Sequence, residues 1–135
     1  MATGVLGTAA RQDPRQVSNT LKKIVNYSDA PPGTAMPFAN YLPMGAYLLL
    51  VSVEVVTAFT GTTPTLAVGT NATTYNNIVA TGDVTWTAAG VTPVTRGLGR
   101  SLTAAADVLV FAVLGGTPTA GQAIVVIEFE GGWSS

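Results

Sequence analysis

The stretch YLLLVSVEVVTA, residues 47–58, decides the fold, because apolar and polar side chains alternate along it. One side of an extended chain carries Leu49, Val51, Val53 and Val55, and the other carries Ser52 and Glu54. A period of two built from β-branched residues predicts a half-buried β-strand. The period recurs over residues 122–130, where one face holds Ala123, Val125, Ile127 and Phe129.

Shorter apolar runs between these two stretches predict further strands over residues 65–70, 75–80, 83–88, 92–96 and 108–114. In the third of them, Val84 and Trp86 share one face. The segments GTTPT (61–65) and GGTPT (115–119) each follow an apolar strand and precede another. Proline fixes φ and glycine accepts positive φ, so both segments are predicted to be hairpin connections.

This pattern predicts an all-β protein, an antiparallel β-sandwich of jelly-roll-like type, because short strands recur and no long helical period is present. We assign the sandwich body to residues 36–135. Residues 1–35 are punctuated by glycine and proline, and Pro31-Pro32 favours an extended passage into the body. They are predicted to form an extended N-terminal arm with one short element within residues 16–27.

The composition is poor in reactive groups. The chain has six basic and seven acidic side chains, with no histidine and no cysteine, so disulfides and thiol chemistry are excluded. A net charge of −1 gives no field for nucleic acid, and the longest apolar run, residues 46–56, is too short for a membrane span. A charged fraction of 10% leaves an apolar surface that favours association, so a closed homo-oligomer is expected.

Partner contacts are predicted at the few basic groups and one aromatic residue. The arm holds four of the six basic residues, Arg11, Arg15, Lys22 and Lys23, which either lie on an acidic partner or are simply solvated. In the body, Arg96 and Arg100 flank a glycine-rich bend and either pair with acids such as Asp83, Asp107 or those of a partner, or form a solvated turn. Trp133 follows two glycines and is the aromatic residue most free to dock on a neighbour.

No catalytic residue, cofactor or metal site is predicted. Glu128 and Glu130 share one face of a strand, as a hydrolase pair would, but acids also keep an outer sheet face wet. Oxygen ligands for calcium exist in Asn71, Asn76, Asn77 and Asp83, but their spacing matches no ligand loop and asparagine is common in turns. Tyr47 and Trp86 suit core or cross-strand packing better than a sugar platform.

Several segments resemble small β-rich virion proteins of tailed bacteriophages, a group that includes head decoration, or cement, proteins. The resemblance lies in LPMGA (42–46), VSVEV (51–55), TAFTG (57–61) and PTLAVGT (64–70), and in LGGTPTAG (114–121) followed by VVIE (125–128). It covers about two-thirds of the chain and leaves out the N-terminal arm. The loop after Gly69-Thr70 is less acidic than in the group.

The resemblance implies a capsid decoration protein on the outer surface of a phage head, made in the host cytoplasm. Its partner would be the major capsid protein, whose contacts it would stabilise. A tail, fibre or baseplate module that binds host glycan or a neighbouring virion protein is the alternative. A small β-fold hydrolase using Glu128 and Glu130 is a third possibility.

Overall fold

The computed structural model describes residues 19–98 and 106–130, and every regular element within them is a β-strand. The elements are β1 (Asn19–Asn26), β2 (Ala35–Leu42), β3 (Tyr47–Gly69), β4 (Gly90–Pro93) and β5 (Val108–Glu130). All the strand pairings are antiparallel, so the predicted all-β antiparallel fold is confirmed.

No helix in these two ranges is long and apolar enough to cross a membrane.

A long two-stranded ribbon organises the sheet. β3 and β5 have 23 residues each and pair from Tyr47 opposite Glu130 to Gly69 opposite Phe111. In what we call the first half, β1 and β4 flank the paired residues 47–57 and 122–130. In the second half, β2 flanks the paired residues 108–115 and 65–69.

The inner sides of the two halves share one hydrophobic core, the arrangement of a β-sandwich. From the first half it takes Leu21, Val25, Val51, Val53, Val55, Ala123, Val125, Ile127 and Phe129, and from the second Met36, Phe38, Leu42, Leu66, Val68, Val110, Ala112 and Leu114. The predicted inner face of residues 122–130 is therefore confirmed in full. Within residues 47–58, Val51, Val53 and Val55 are also buried as predicted.

Leu49 departs from its predicted place. Its side chain is 43% exposed, whereas Leu48 is buried, because the pairing with β5 shifts by one residue between Leu48 and Leu50. Such a bulge inserts an extra residue, and the side chains before it change face.

The two Gly-Thr-Pro segments are not hairpin turns, so that prediction is wrong. They lie in the middle of β3 and β5 and pair with each other, with Gly61 opposite Pro118 and Thr62 opposite Thr117. Four of the five register shifts of the ribbon fall between Val55 and Thr65. Gly116 has a φ of 71°, and a Cβ there would come within 2.6 Å of the Thr62 carbonyl oxygen. We call this irregular region, residues 56–65 and 115–121, the bend.

The strands predicted over residues 75–80 and 83–88 are absent. The β-bridge from Val79 to Val68 and the hydrogen bond from Phe59 N to the Trp86 carbonyl oxygen join this part of the chain to the sheet without forming a strand. The apolar side chains are nevertheless buried: Ile78, Val79, Val84 and Trp86 all lie in the core. The predicted short strand over residues 92–96 occurs slightly earlier, as β4.

Part of the predicted arm belongs to the sheet. The expected short element is β1, which pairs with β5 along its whole length and buries Leu21 and Val25. Residues 1–18 lie outside the described residues.

Candidate interaction surface

The outer side of the first half carries the most continuous array of exposed apolar side chains. Cross-strand partners share a side of the sheet, so the register defines its rows. The rows are Thr20, Glu128 and Leu50; then Lys22, Val126, Ser52 and Pro93; then Ile24, Ile124, Glu54 and Val91. We call this surface the outer face.

Three large apolar side chains on the outer face are exposed to solvent. Val91 is 64% exposed, Ile24 47% and Leu50 42%, while Ile124 and Val126 are half-buried between them. The alternation of residues 122–130 held a signal for this surface, because Ile124 and Val126 are apolar although they lie opposite the core. Its full extent depends on the register between four strands, which the alternation within one strand does not specify.

The loop that follows β3 covers part of the outer side of the second half, while Pro37 and Tyr41 on β2 remain exposed. The row Pro37, Phe111 and Gly69 on this side meets the loop at its last two residues. The Tyr75 ring packs on the Phe111 ring with centroids 5.1 Å apart, and Ala67 and Gly69 are buried. A Cβ on Gly69 would clash with the Asn77 side-chain oxygen and lie 2.7 Å from that of Asn71, so the absent side chain makes room for the loop.

Asparagine side chains hold that loop together. Asn71 Oδ1 accepts hydrogen bonds from the backbone N–H groups of Asn76 and Asn77 at 2.9 and 3.2 Å. Asn71 Nδ2 donates to Thr74 Oγ1 and Asn76 Oδ1, and Asn77 Oδ1 accepts from Thr70 N at 2.8 Å. These oxygens close the loop by local hydrogen bonds. No group of His, Cys, Asp or Glu suited to a metal ion occurs within the described ranges.

Arg96 lies in an intramolecular ion pair. Its Nε and Nη2 donate to the two carboxylate oxygens of Asp83, both at 2.8 Å. Asp83 Oδ2 also accepts from Ala80 N at 2.9 Å. The hydrogen bond from Arg96 lowers the pKa of the Asp83 carboxyl, and the pair in turn raises the pKa of Arg96. Of the acids considered for Arg96 from the sequence, the structure selects Asp83, while Asp107 instead accepts from Met44 N at 2.7 Å.

The other predicted contact residues divide into two groups. Lys22 is exposed on the outer face, and Lys23 is half-buried on the inner side of the edge strand β1, where a charge discourages pairing with another chain. Arg11, Arg15, Arg100 and Trp133 lie outside the described residues.

Two alternative chemistries find little geometric support at the residues proposed for them. Trp86 is 4% exposed, its Nε1 donates to the Thr81 carbonyl oxygen at 2.8 Å, and its ring packs edge-on against Phe59, so its indole face is not open to a sugar. Glu128 lies on the outer face between Thr20 and Leu50, and Glu130 lies opposite Tyr47. The two carboxylates thus lie on the outer side of the sheet, away from the core.

The chain matches no protein-family model, and no curated protein is similar to it in sequence. Its fold does match chains in solved structures of phage capsids. A chain of the cyanophage Pam1 capsid asymmetric unit aligns with a TM-score of 0.65 and 19% identity, covering 84% of each chain.

A chain of the capsid of Ralstonia phage GP4 aligns with a TM-score of 0.65 and 21% identity, over 91% of this chain and 89% of that one. A chain of the acidic stable capsid structure of Helicobacter pylori bacteriophage KHP30 gives a TM-score of 0.56 and 20% identity, over 84% and 87%. At these identities the likeness is one of fold.

Proposed function

We propose that this protein is a structural component of a tailed-phage virion. The observation that carries the proposal is the fold, which is shared along nearly the whole described chain with proteins of three phage capsids. The scarcity of charged and nucleophilic groups fits a building part better than a catalyst.

Within the virion, the protein binds the outer surface of the head as a decoration, or cement, protein and stabilises contacts between major capsid subunits. A small sheet domain with an open apolar face suits this role, because many copies on a symmetric shell convert modest single contacts into strong clamping. Association of copies into a dimer or trimer belongs to the same proposal, as does contact of the basic residues Arg11 and Arg15 with the shell.

Co-sedimentation with mature heads that lack the protein tests this function directly. We expect saturable binding at a fixed ratio to shell subunits, and we expect the loaded heads to withstand heat that opens the bare ones. Heads that already carry the protein serve as the control and should bind no more. Recovery of the protein on purified tails instead of heads would overturn the decoration role and favour a tail module.

A further inference from the structure

The chemistry of the outer face restricts what can cover it. Its inner counterpart is buried in the core, so the exposure of Ile24, Leu50 and Val91 is not a by-product of a loosely packed sheet. On the corresponding side of the second half, the loop around Tyr75 covers Phe111 and Gly69, while Tyr41 on β2 stays exposed. The described chain therefore covers the centre of one outer side and leaves the centre of the other open.

Charge on the outer face is predominantly negative. Glu54 and Glu128 lie within its rows, Glu130 lies at its rim, and Lys22 is the only cation among the residues that define it. Within the described chain, none of the three carboxylates forms a hydrogen bond or ion pair. The face thus presents apolar side chains with a net charge of −1 within its rows, or −2 with Glu130 at the rim, which no other described residue neutralises.

This charge argues against a second copy as the occupant. A two-fold interface places the same patch on both sides, so two faces that each carry a net negative charge would oppose each other across apolar contact. Like charges brought together in this way weaken an interface and exclude wrong partners.

The size of the face also argues against a stable pair in solution. Four strands about 4.8 Å apart and rows about 6.8 Å apart give a surface of roughly 400 Å², including the width of the outermost side chains. A standard interface buries about 800 Å² on each partner. A contact of half that area binds weakly on its own, but many such contacts on one particle together give a high overall affinity.

We propose that the outer face docks on a shell-subunit surface that combines exposed apolar side chains with lysine or arginine. This inference rests on the proposed function and specifies its contact. Glu54 and Glu128 pair with the basic groups, while Ile24, Leu50 and Val91 supply the apolar area. Electrostatic pairing at an exposed rim is screened by salt, so docking weakens as ionic strength rises.

The decisive variant is Glu54→Gln with Glu128→Gln, which keeps the shape of the outer face and removes both charges. Binding to bare heads should weaken about tenfold at low salt, and its dependence on salt should flatten. The control variant, Ser28→Lys with Thr62→Lys, raises the net charge by the same amount at exposed positions away from the face. It should bind heads as the unaltered protein does.

A second pair of variants tests the apolar part. Ile24→Thr with Val91→Thr should also weaken head binding, whereas Tyr41→Ser removes a 58% exposed side chain from the second half and should leave binding unchanged. Unaltered binding by both outer-face variants, with the parent protein still bound, would overturn this inference and leave the decoration role standing. Failure of the parent protein to bind heads would overturn both.

Two other occupants give distinct results. If a second copy covers the face, the free protein sediments as an oligomer that Ile24→Thr with Val91→Thr dissociates. If residues 1–18 cover it, Ile24→Thr with Val91→Thr makes those residues of the free full-length protein more sensitive to limited proteolysis. Either result would overturn docking of the free face on the shell.

Discussion

The two halves of the β3–β5 ribbon both bury their inner sides in the core, but their outer sides differ in what covers them. The first half leaves its outer row of Ile24, Ile124, Glu54 and Val91 open. The second half receives a loop on its outer side, with Tyr75 on Phe111 and two asparagine side chains over Gly69. Burial in the core thus determines the fold of both halves, while what covers the outer side determines which half can meet a partner.

The largest expected effect comes from breaking the junction between the halves. Phe59 lies at the bend, is 2% exposed, packs edge-on against Trp86 and donates its backbone N–H to the Trp86 carbonyl oxygen at 2.9 Å. Phe59→Ala should lower the free energy of unfolding by about 4 kcal/mol, because it removes a large side chain from a packed site. Urea unfolding measures this, and Tyr41→Ala, at an exposed position, should cost little.

A smaller effect is expected from lifting the loop off the second half. Gly69→Ala places a methyl group against the Asn71 and Asn77 side-chain oxygens, so we expect a loss of about 2 kcal/mol in unfolding free energy. Gly82→Ala is the matched control, since a Cβ at Gly82 meets nothing within 4 Å. Equal stability of the two variants would show that the loop accommodates the methyl group without cost.

The inner and outer sides of the first half can be compared by making the same substitution, valine to threonine, once on each side. Val53→Thr puts a hydroxyl in the core, where Val53 is fully buried, and should cost about 1.5 kcal/mol. Val91→Thr makes the same change at a 64% exposed position and should change stability by less than about 0.5 kcal/mol. Urea unfolding of the pair compares them, and similar losses would mean that the outer face is structural.

The smallest expected effect concerns the ion pair that ties residues 80–83 to Arg96. Because Arg96 lowers the pKa of Asp83, the pair stabilises the fold at neutral pH, and this contribution disappears as the pH falls through that lowered pKa, below about pH 4. The unfolding free energy of the parent should therefore fall more steeply in acid than that of Asp83→Asn. Parallel curves for the two proteins would show that the exposed pair adds no stability.

Sequence periodicity predicted the strands better than their connections. Residues 122–130 and Val51 to Val55 show their core face in the alternation itself, but the bulge beside Leu49 depends on the partner strand and leaves no local mark. The glycine and proline residues of the two Gly-Thr-Pro segments determine which φ values the backbone can adopt locally. They do not show that each segment lies opposite the other, so the local sequence predicts two turns where the structure has one bend.

The candidate surface was harder to predict than the core. The outer face joins Lys22, Glu54, Val91 and Ile124 from four strands, and their proximity follows only from the register. The apolar patterns of residues 75–80 and 83–88 predicted strands that do not form, because a loop can bury Ile78 or Trp86 without pairing with the sheet. Burial is thus easier to predict than strand pairing. The apolar character of a side chain can be read from that residue alone, whereas pairing depends on two segments of the chain.

The pairing of β3 with β5 also dictates the order of events during synthesis. Between partners in the ribbon, 42 positions separate Gly69 from Phe111, and 83 separate Tyr47 from Glu130. Contacts this distant in sequence make folding slow, because a long loop must close before any of them forms. β4, residues 90–93, can cover part of one edge of a newly made β3, but the edge that pairs with β5 keeps its backbone hydrogen-bonding groups unpaired until residues 108–130 have left the ribosome. During that interval the chain is most exposed to aggregation.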